Sequence, residues 1–84
     1  MMKKTHEIKL DINLCDDVLN GRKNFEVRYN DRCYQAGDLI KFIPWDGYHI
    51  THDVKKKTYR ITYVISGWGL KDGYVAFGIE EVGE

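Results

Sequence analysis

The sequence predicts a mainly β domain of the α+β class, a small, strongly curved β-barrel of five or six strands with one short helix near the N-terminus. Three observations predict it. Apolar residues alternate with polar ones in several short runs, the period of a half-buried strand. A single stretch, residues 11–20, carries apolar residues at helical spacing instead. Turn signals (Asn30-Asp31, Gly37-Asp38, Asp46-Gly47, Gly67-Trp68-Gly69) separate the runs. Closing such a sheet on itself removes exposed edges.

The chain of 84 residues makes one domain, residues 1–84. A chain of this length buries only about 60% of its unfolded surface, so its core is small. Lys plus Arg and Asp plus Glu both number 13, a net charge of zero. That balance argues against a strongly basic, non-specific nucleic-acid binder. Six tyrosines and two tryptophans can fill a core or offer stacking platforms. The two cysteines, Cys15 and Cys33, form no C-x-x-C pair, and nothing resembles a signal peptide. Reduced thiols in a cytoplasmic protein are expected. No apolar run reaches the ~18–20 residues that cross a bilayer.

Residues 1–4 are a basic start expected to fray. Over 5–10, His6, Ile8 and Leu10 share one face of a strand, which places His6 at a core edge with one hydrogen bond satisfied. The helix over 11–20 carries a stripe of Leu14, Cys15, Val18 and Leu19. Asp11 or Asn13 caps its start, and Gly21 ends it by reaching φ > 0. The strand that follows, 24–30, puts Phe25, Val27 and Tyr29 on one face, expected to belong to the core. Asn24, Glu26, Arg28 and Asn30 fall on the other. Residues 30–38 form a polar connection. The strand over 39–43 ends near Pro44. Residues 45–57 read as a mobile hairpin loop with a short strand around Ile50. Tyr59, Ile61, Tyr63 and Ile65 alternate in a strand over 58–65, and a glycine-rich turn around Trp68 leads to the last strand, 74–80. The tail, 81–84, is acidic and expected to be loose. The predicted core is Phe25, Val27, Ile40, Phe42, Ile61, Tyr63, Val75, Phe77 and Ile79, covered by Leu14, Val18 and Leu19.

Phosphate-binding loops, dinucleotide fingerprints and nucleophile elbows are absent. His49 and His52 have metal-like spacing but no cysteine partners, so no metal and no cofactor are expected. The densest polar chemistry lies at 21–28, where Lys23, Glu26 and Arg28 cluster at the helix-to-strand junction.

Those residues carry a resemblance. The chain resembles the ASCH family, the activating signal cointegrator homology domain of the PUA-like superfamily of small β-barrels. The carriers are the helix ending at Gly21, then Lys23 and Glu26-Val27-Arg28, and Gly37-Asp38 before an apolar strand. It is more similar still to the DUF3850 subgroup of small bacterial and phage proteins. That likeness rests on His6-Glu7-Ile8-Lys9, on Asn30-Asp31-Arg32 with Tyr34 and Gly37-Asp38, and on Gly67-Trp68-Gly69-Leu70-Lys71-Asp72-Gly73-Tyr74. The resemblance implies a PUA-like fold with a cleft beside the helix-strand junction, and RNA or a nucleotide-like ligand in it.

On that reading His6, Lys23, Glu26, Arg28, Tyr34 and Trp68 line one concave surface. Arg28 or Lys23 holds a phosphate or base carbonyl, Glu26 accepts from a base, and Trp68 or Tyr34 stacks on it. Some small bacterial ASCH proteins are amidohydrolases of N4-acetylcytidine with a Gly-x-Lys-Thr-x-Thr motif. Gly21 and Lys23 match it, but Asn24 and Glu26 stand where that motif has threonines. If the chain is an enzyme, Lys23 and Glu26 are its catalytic candidates. The third reading is a protein-interaction module in transcription or translation regulation. A monomer or weak dimer without membrane association is expected.

Overall fold

The computed structural model describes residues 3–83. The first two residues of the expected frayed start and the last residue of the acidic tail lie outside them. Five strands and one helix run in the order β1 (Thr5–Asp11), α1 (Ile12–Leu19), β2 (Phe25–Tyr29), β3 (Leu39–Trp45), β4 (Tyr59–Ser66) and β5 (Tyr74–Glu81), with a 3₁₀ turn at Asp53–Lys56. They form one sheet in the order β1-β3-β4-β5-β2. The β1–β3 pair is parallel and the other pairs are antiparallel. The mainly β class is as expected, but the ladder does not close: β1 and β2 are its two free edges.

The helix forms where its caps allow. The Asp11 carboxylate accepts from the Asn13 N–H at 2.8 Å, and Gly21 adopts φ 85° just past the end. Cys15 and Val18 are fully buried, whereas Leu14 is exposed and Leu19 only partly covered. Two turns of helix on a narrow contact bury only the centre of the expected stripe. Burial pushes the Cys15 thiol up, and Asp16 and Asp11 push it the same way, so it stays a protonated core residue.

Ile40, Phe42, Ile61, Val75, Phe77 and Ile79 are buried, as their alternation predicts, together with Ile8, Leu10, Val54 and Tyr59. Burial pushes the Tyr59 phenol up, with Glu81 adding to it, and its buried hydroxyl has no hydrogen-bond partner among the described residues. Two stretches depart from the expected pattern. In β4 the register slips between Ile61 and Tyr63, so that Ile61 faces Ile79 but Tyr63 faces Gly78. This one-residue bulge reverses the parity of everything after it. Tyr63, expected in the core, is 67% exposed, and Val64 takes the inward position instead.

The second departure is β2. Its register sets Glu26 beside Phe77 and Arg28 beside Val75, on the inner face. Phe25, Val27 and Tyr29, expected inside, are 49%, 49% and 57% exposed. The strand is inverted relative to its hydrophobic pattern because the inner space it faces is the polar gap between the two free edges.

Residues 45–57 are more tied down than a free hairpin. Trp45 bridges to His49, and the Ile50 N–H donates to the Pro44 carbonyl at 3.3 Å. The 3₁₀ turn buries Val54. His52 caps that turn by accepting from the Val54 N–H at 3.0 Å, and its Nε2 lies 2.8 Å from Asp16 on α1. Strand β3 runs through Pro44 because β4 pairs with it only at Leu39 and Ile40, so the missing N–H breaks no β3–β4 bond. The tail is paired further than expected, since the Val82 N–H donates to the Thr58 carbonyl at 2.8 Å.

Phe77→Ala is expected to cost about 3–5 kcal/mol by equilibrium denaturation. Tyr63→Ala is expected to cost under about 1 kcal/mol. Equal losses would contradict the bulged register.

Candidate functional site

The site begins with one carboxylate on the wrong face for its type. Glu26 is 3% exposed. Its Oε1 accepts from Arg28 Nε at 2.9 Å, and its Oε2 is in direct contact with Lys23 Nζ. The Lys23 ammonium also donates to the Phe25 carbonyl at 2.7 Å. Arg28 then reaches across the opening: its Nη2 donates to the Lys9 carbonyl on β1 at 2.6 Å. A carboxylate out of water is stable only with such partners. The free edges of β1 and β2 are therefore joined by a side chain where a closed barrel would use a ladder.

Arg28 divides the opening into two cavities. One, of about 420 Å³, is lined by Glu7, Lys9, Arg28, Tyr29, Asp31, Arg32 and Tyr34 among others. The second, of about 410 Å³, is lined by Lys9, Asp11, Leu14, Lys23, Phe25, Glu26, Val27 and Arg28. Three cations and two carboxylates border each of them, an excess of one positive charge apiece. The Nη1 group of Arg28 has no partner among the described residues.

Behind the first cavity lies a second buried cluster. His6 Nε2 sits 2.9 Å from Asp38 Oδ2. Asp38 also accepts from the Gln35 N–H at 3.1 Å and the Lys4 N–H at 3.3 Å. Burial pushes the Asp38 carboxyl up, but the bonds from His6, Lys4 and Gln35 outweigh it and hold it below the usual carboxylate range. An ionised carboxylate only accepts, so the imidazole carries its proton on Nε2. His6 thus sits at the core edge with its bond satisfied, as expected. Its ring leans on Tyr34 at 4.8 Å, and Tyr34 leans on Phe77 at 4.8 Å. Burial pushes the Tyr34 phenol up, while Arg28 and Arg32 pull the other way.

Of the six predicted ligand residues, Lys23, Glu26, Arg28 and Tyr34 border the two cavities, and His6 supports Tyr34 from behind. Tyr34 is wedged between His6 and Phe77, so its faces are already occupied. Trp68 lines neither cavity. It is 90% exposed on the β4–β5 turn, in a left-handed conformation (φ 52°) between two glycines of the same hand. Sequence reasoning missed Lys9, Arg32 and Asp38 as site or support residues. Asp38 stands in a motif already singled out as a turn, but Lys9 enters through its backbone carbonyl, which leaves no mark in a sequence. Among the described residues no group of three or more His, Cys, Asp or Glu could hold a metal ion, and no helix is long and apolar enough to cross a membrane.

Removing the Glu26 carboxylate leaves two cations facing each other. Glu26→Ala is expected to cost about 2–3 kcal/mol, at the low side for a broken buried pair because water reaches Lys23 and Arg28. The double variant Glu26→Ala with Arg28→Ala should cost less than the sum of the single changes in the same denaturation experiment. For Asp38, the folded state binds its proton less readily than the unfolded chain. Its contribution to stability is full above about pH 4 and is lost as the pH falls through the lower folded value. Asp38→Asn should flatten that acid limb in a stability-versus-pH series.

Comparison with known proteins places the chain. A family model described as "Domain of unknown function (DUF3850)" matches residues 5–79, which contain every strand and the helix up to the end of the apolar run in β5. A second similarity is to the "Uncharacterized 12.9 kDa protein in GpA 3'region" of Escherichia phage P2. It is 44% identical over 45 residues, covering 54% of this chain and 41% of that protein. The aligned part therefore spans less than half of the phage protein. The chain belongs to the DUF3850 family.

Proposed function

We propose that the slot between β1 and β2 is the binding site of a small ASCH/PUA-like module for RNA or a nucleotide-like ligand. The observation that carries this reading is Arg28. Its guanidinium is held along one edge by Glu26 and the Lys9 carbonyl, its remaining amino group has no partner among the described residues, and the side chain borders both cavities. A planar donor fixed in that way is suited to a phosphate oxygen or a base carbonyl.

Each cavity is within the lower range of small-ligand sites. The free edges of β1 and β2 add backbone donors and acceptors, which can read a base edge. One excess positive charge per cavity favours a nucleotide or a short single strand over a long duplex. Tyr34 offers a protonated hydroxyl at the wall in place of a stacking face. Trp68 enters this reading only as an outer contact for a ligand longer than one nucleotide.

The same geometry favours binding over hydrolysis. Glu26 is 3% exposed and its two oxygens already hold Arg28 and Lys23, which leaves little of the carboxylate facing a water that it could deprotonate.

A thermal-shift panel of nucleosides, nucleotides and short RNAs tests the reading, because a ligand of the folded state must raise the melting temperature. With the best ligand, Arg28→Lys and Arg28→Ala should both weaken binding by roughly 1–3 kcal/mol. Arg32→Ala should have a smaller effect that fades with added salt. The reading fails if nothing in the panel shifts the transition, or if Arg28→Lys, shown to be folded, binds like the parent.

A further inference from the structure

The inversion of β2 and the bulge in β4 have a joint result on the outside of the sheet. Register aligns Phe25 with Gly78 and Tyr63, Val27 with Ala76 and Ile65, and Tyr29 with Tyr74. The outer face of β2, β5 and β4 is therefore apolar across three strands. The small residues Gly78 and Ala76 of β5 lie between larger side chains on β2 and on β4, and Thr62 covers the place a side chain at Gly78 would take.

Among the described residues, Arg60 and Glu80 on this face are bonded to each other at 3.2 Å. Lys23, whose ammonium lies 5.0 Å from the centre of the Phe25 ring at the edge of the face, is paired with Glu26. A face without free cations offers nothing to a phosphate backbone. A face without net charge does not repel a copy of itself, and the whole chain is also neutral. Two copies that meet through one such patch do so isologously, about a two-fold axis. The area agrees. The exposed parts of Phe25, Tyr29 and Tyr63 alone amount to roughly 300–400 Å², the range of the largest patch that a monomer usually leaves open. Two such faces with their aliphatic neighbours bury roughly 1,000–1,200 Å², the low end of specific interfaces.

We propose that two copies of this chain pair through the outer face of β2, β5 and β4 in a two-fold, concentration-dependent dimer. Phe25 and Val27 also border the second cavity of the slot and Tyr29 the first, so pairing through this face reaches the rim of the slot.

Sedimentation velocity of the full chain from about 1 µM to about 1 mM tests this. The mass should rise from the 9.9 kDa monomer toward twice that value. Val27→Glu, at the centre of the face, should weaken association about tenfold or more. Tyr48→Glu, exposed on the 45–57 loop, should leave it unchanged. A measurement without variants keeps the proposal testable should Val27→Glu fail to fold. In the unaltered protein, amide resonances of Phe25, Val27, Tyr63 and Ile65 should move with concentration while those of Lys55 and Lys56 stay. A monomer throughout the range overturns the proposal, as does a dimer that survives in folded Val27→Glu. Short RNA that shifts the same resonances while the chain stays monomeric also overturns it, and would make the face a nucleic-acid platform.

Discussion

The Glu26 carboxylate is the constraint on which the rest of the structure turns. It is nearly buried, and it is stable there because Lys23 and Arg28 each take one of its oxygens. That pairing fixes the direction of Arg28. Arg28 in turn reaches the Lys9 carbonyl and spans the two free edges of the sheet. A ladder between β1 and β2 would have sealed the barrel and left no slot. A side-chain bridge holds the edges at a set distance while keeping the space between them open. The arrangement also manages the edge-strand hazard, since two unpaired edges that face each other across charged groups are poor templates for another chain.

How much of this was legible follows from the physics of each element. Caps and turns are local, so the helix, the stop at Gly21 and the strand order along the chain could be read directly. The faces of β1, β3 and β5 follow from simple alternation. The face of β2 could not, because alternation says only which residues travel together. It does not say which set points inward, and the usual rule assigns the apolar set to the core. Here the interior at that point is a polar opening, so the charged set takes it. In β4 the alternation is continuous in sequence from Tyr59 to Ile65, yet one extra residue at Thr62 reverses it halfway. A bulge is set by what lies across the ladder: Thr62 sits over Gly78, where an added Cβ would lie 2.5 Å from its hydroxyl. The glycine and the threonine are 16 positions apart, and only the fold brings them together.

The candidate site divides in the same way. The Lys23, Glu26 and Arg28 cluster is local in sequence and was visible as a run of chemistry at a helix-strand junction. His6 was visible as a histidine on an apolar face, but its partner Asp38 lies across the parallel β1–β3 pairing. Tyr34 and Trp68, both expected to stack on a ligand, part ways. Tyr34 follows Cys33, which adopts a left-handed conformation in a polar loop, and it turns into the core against His6 and Phe77. Trp68, in a glycine-flanked turn, is carried outward.

Strand β2 therefore carries two unlike surfaces on five residues. Inward, it spends Glu26 and Arg28 on a polar slot, and neither contributes the apolar burial that ordinarily holds a strand. Outward, its Phe25, Val27 and Tyr29 are only half covered. Within one chain the strand is held by its ladder to β5, by the Lys23–Glu26–Arg28 contacts and by the link to Lys9. It is the strand with the least core beneath it and the one that positions the key guanidinium. On the proposed pairing, apolar cover on its outer face would supply the packing that its inner face gives up. Such cover would stiffen the strand that carries Arg28, and the coupling would read out as a slot ligand that binds more tightly at dimer concentrations than at monomer concentrations.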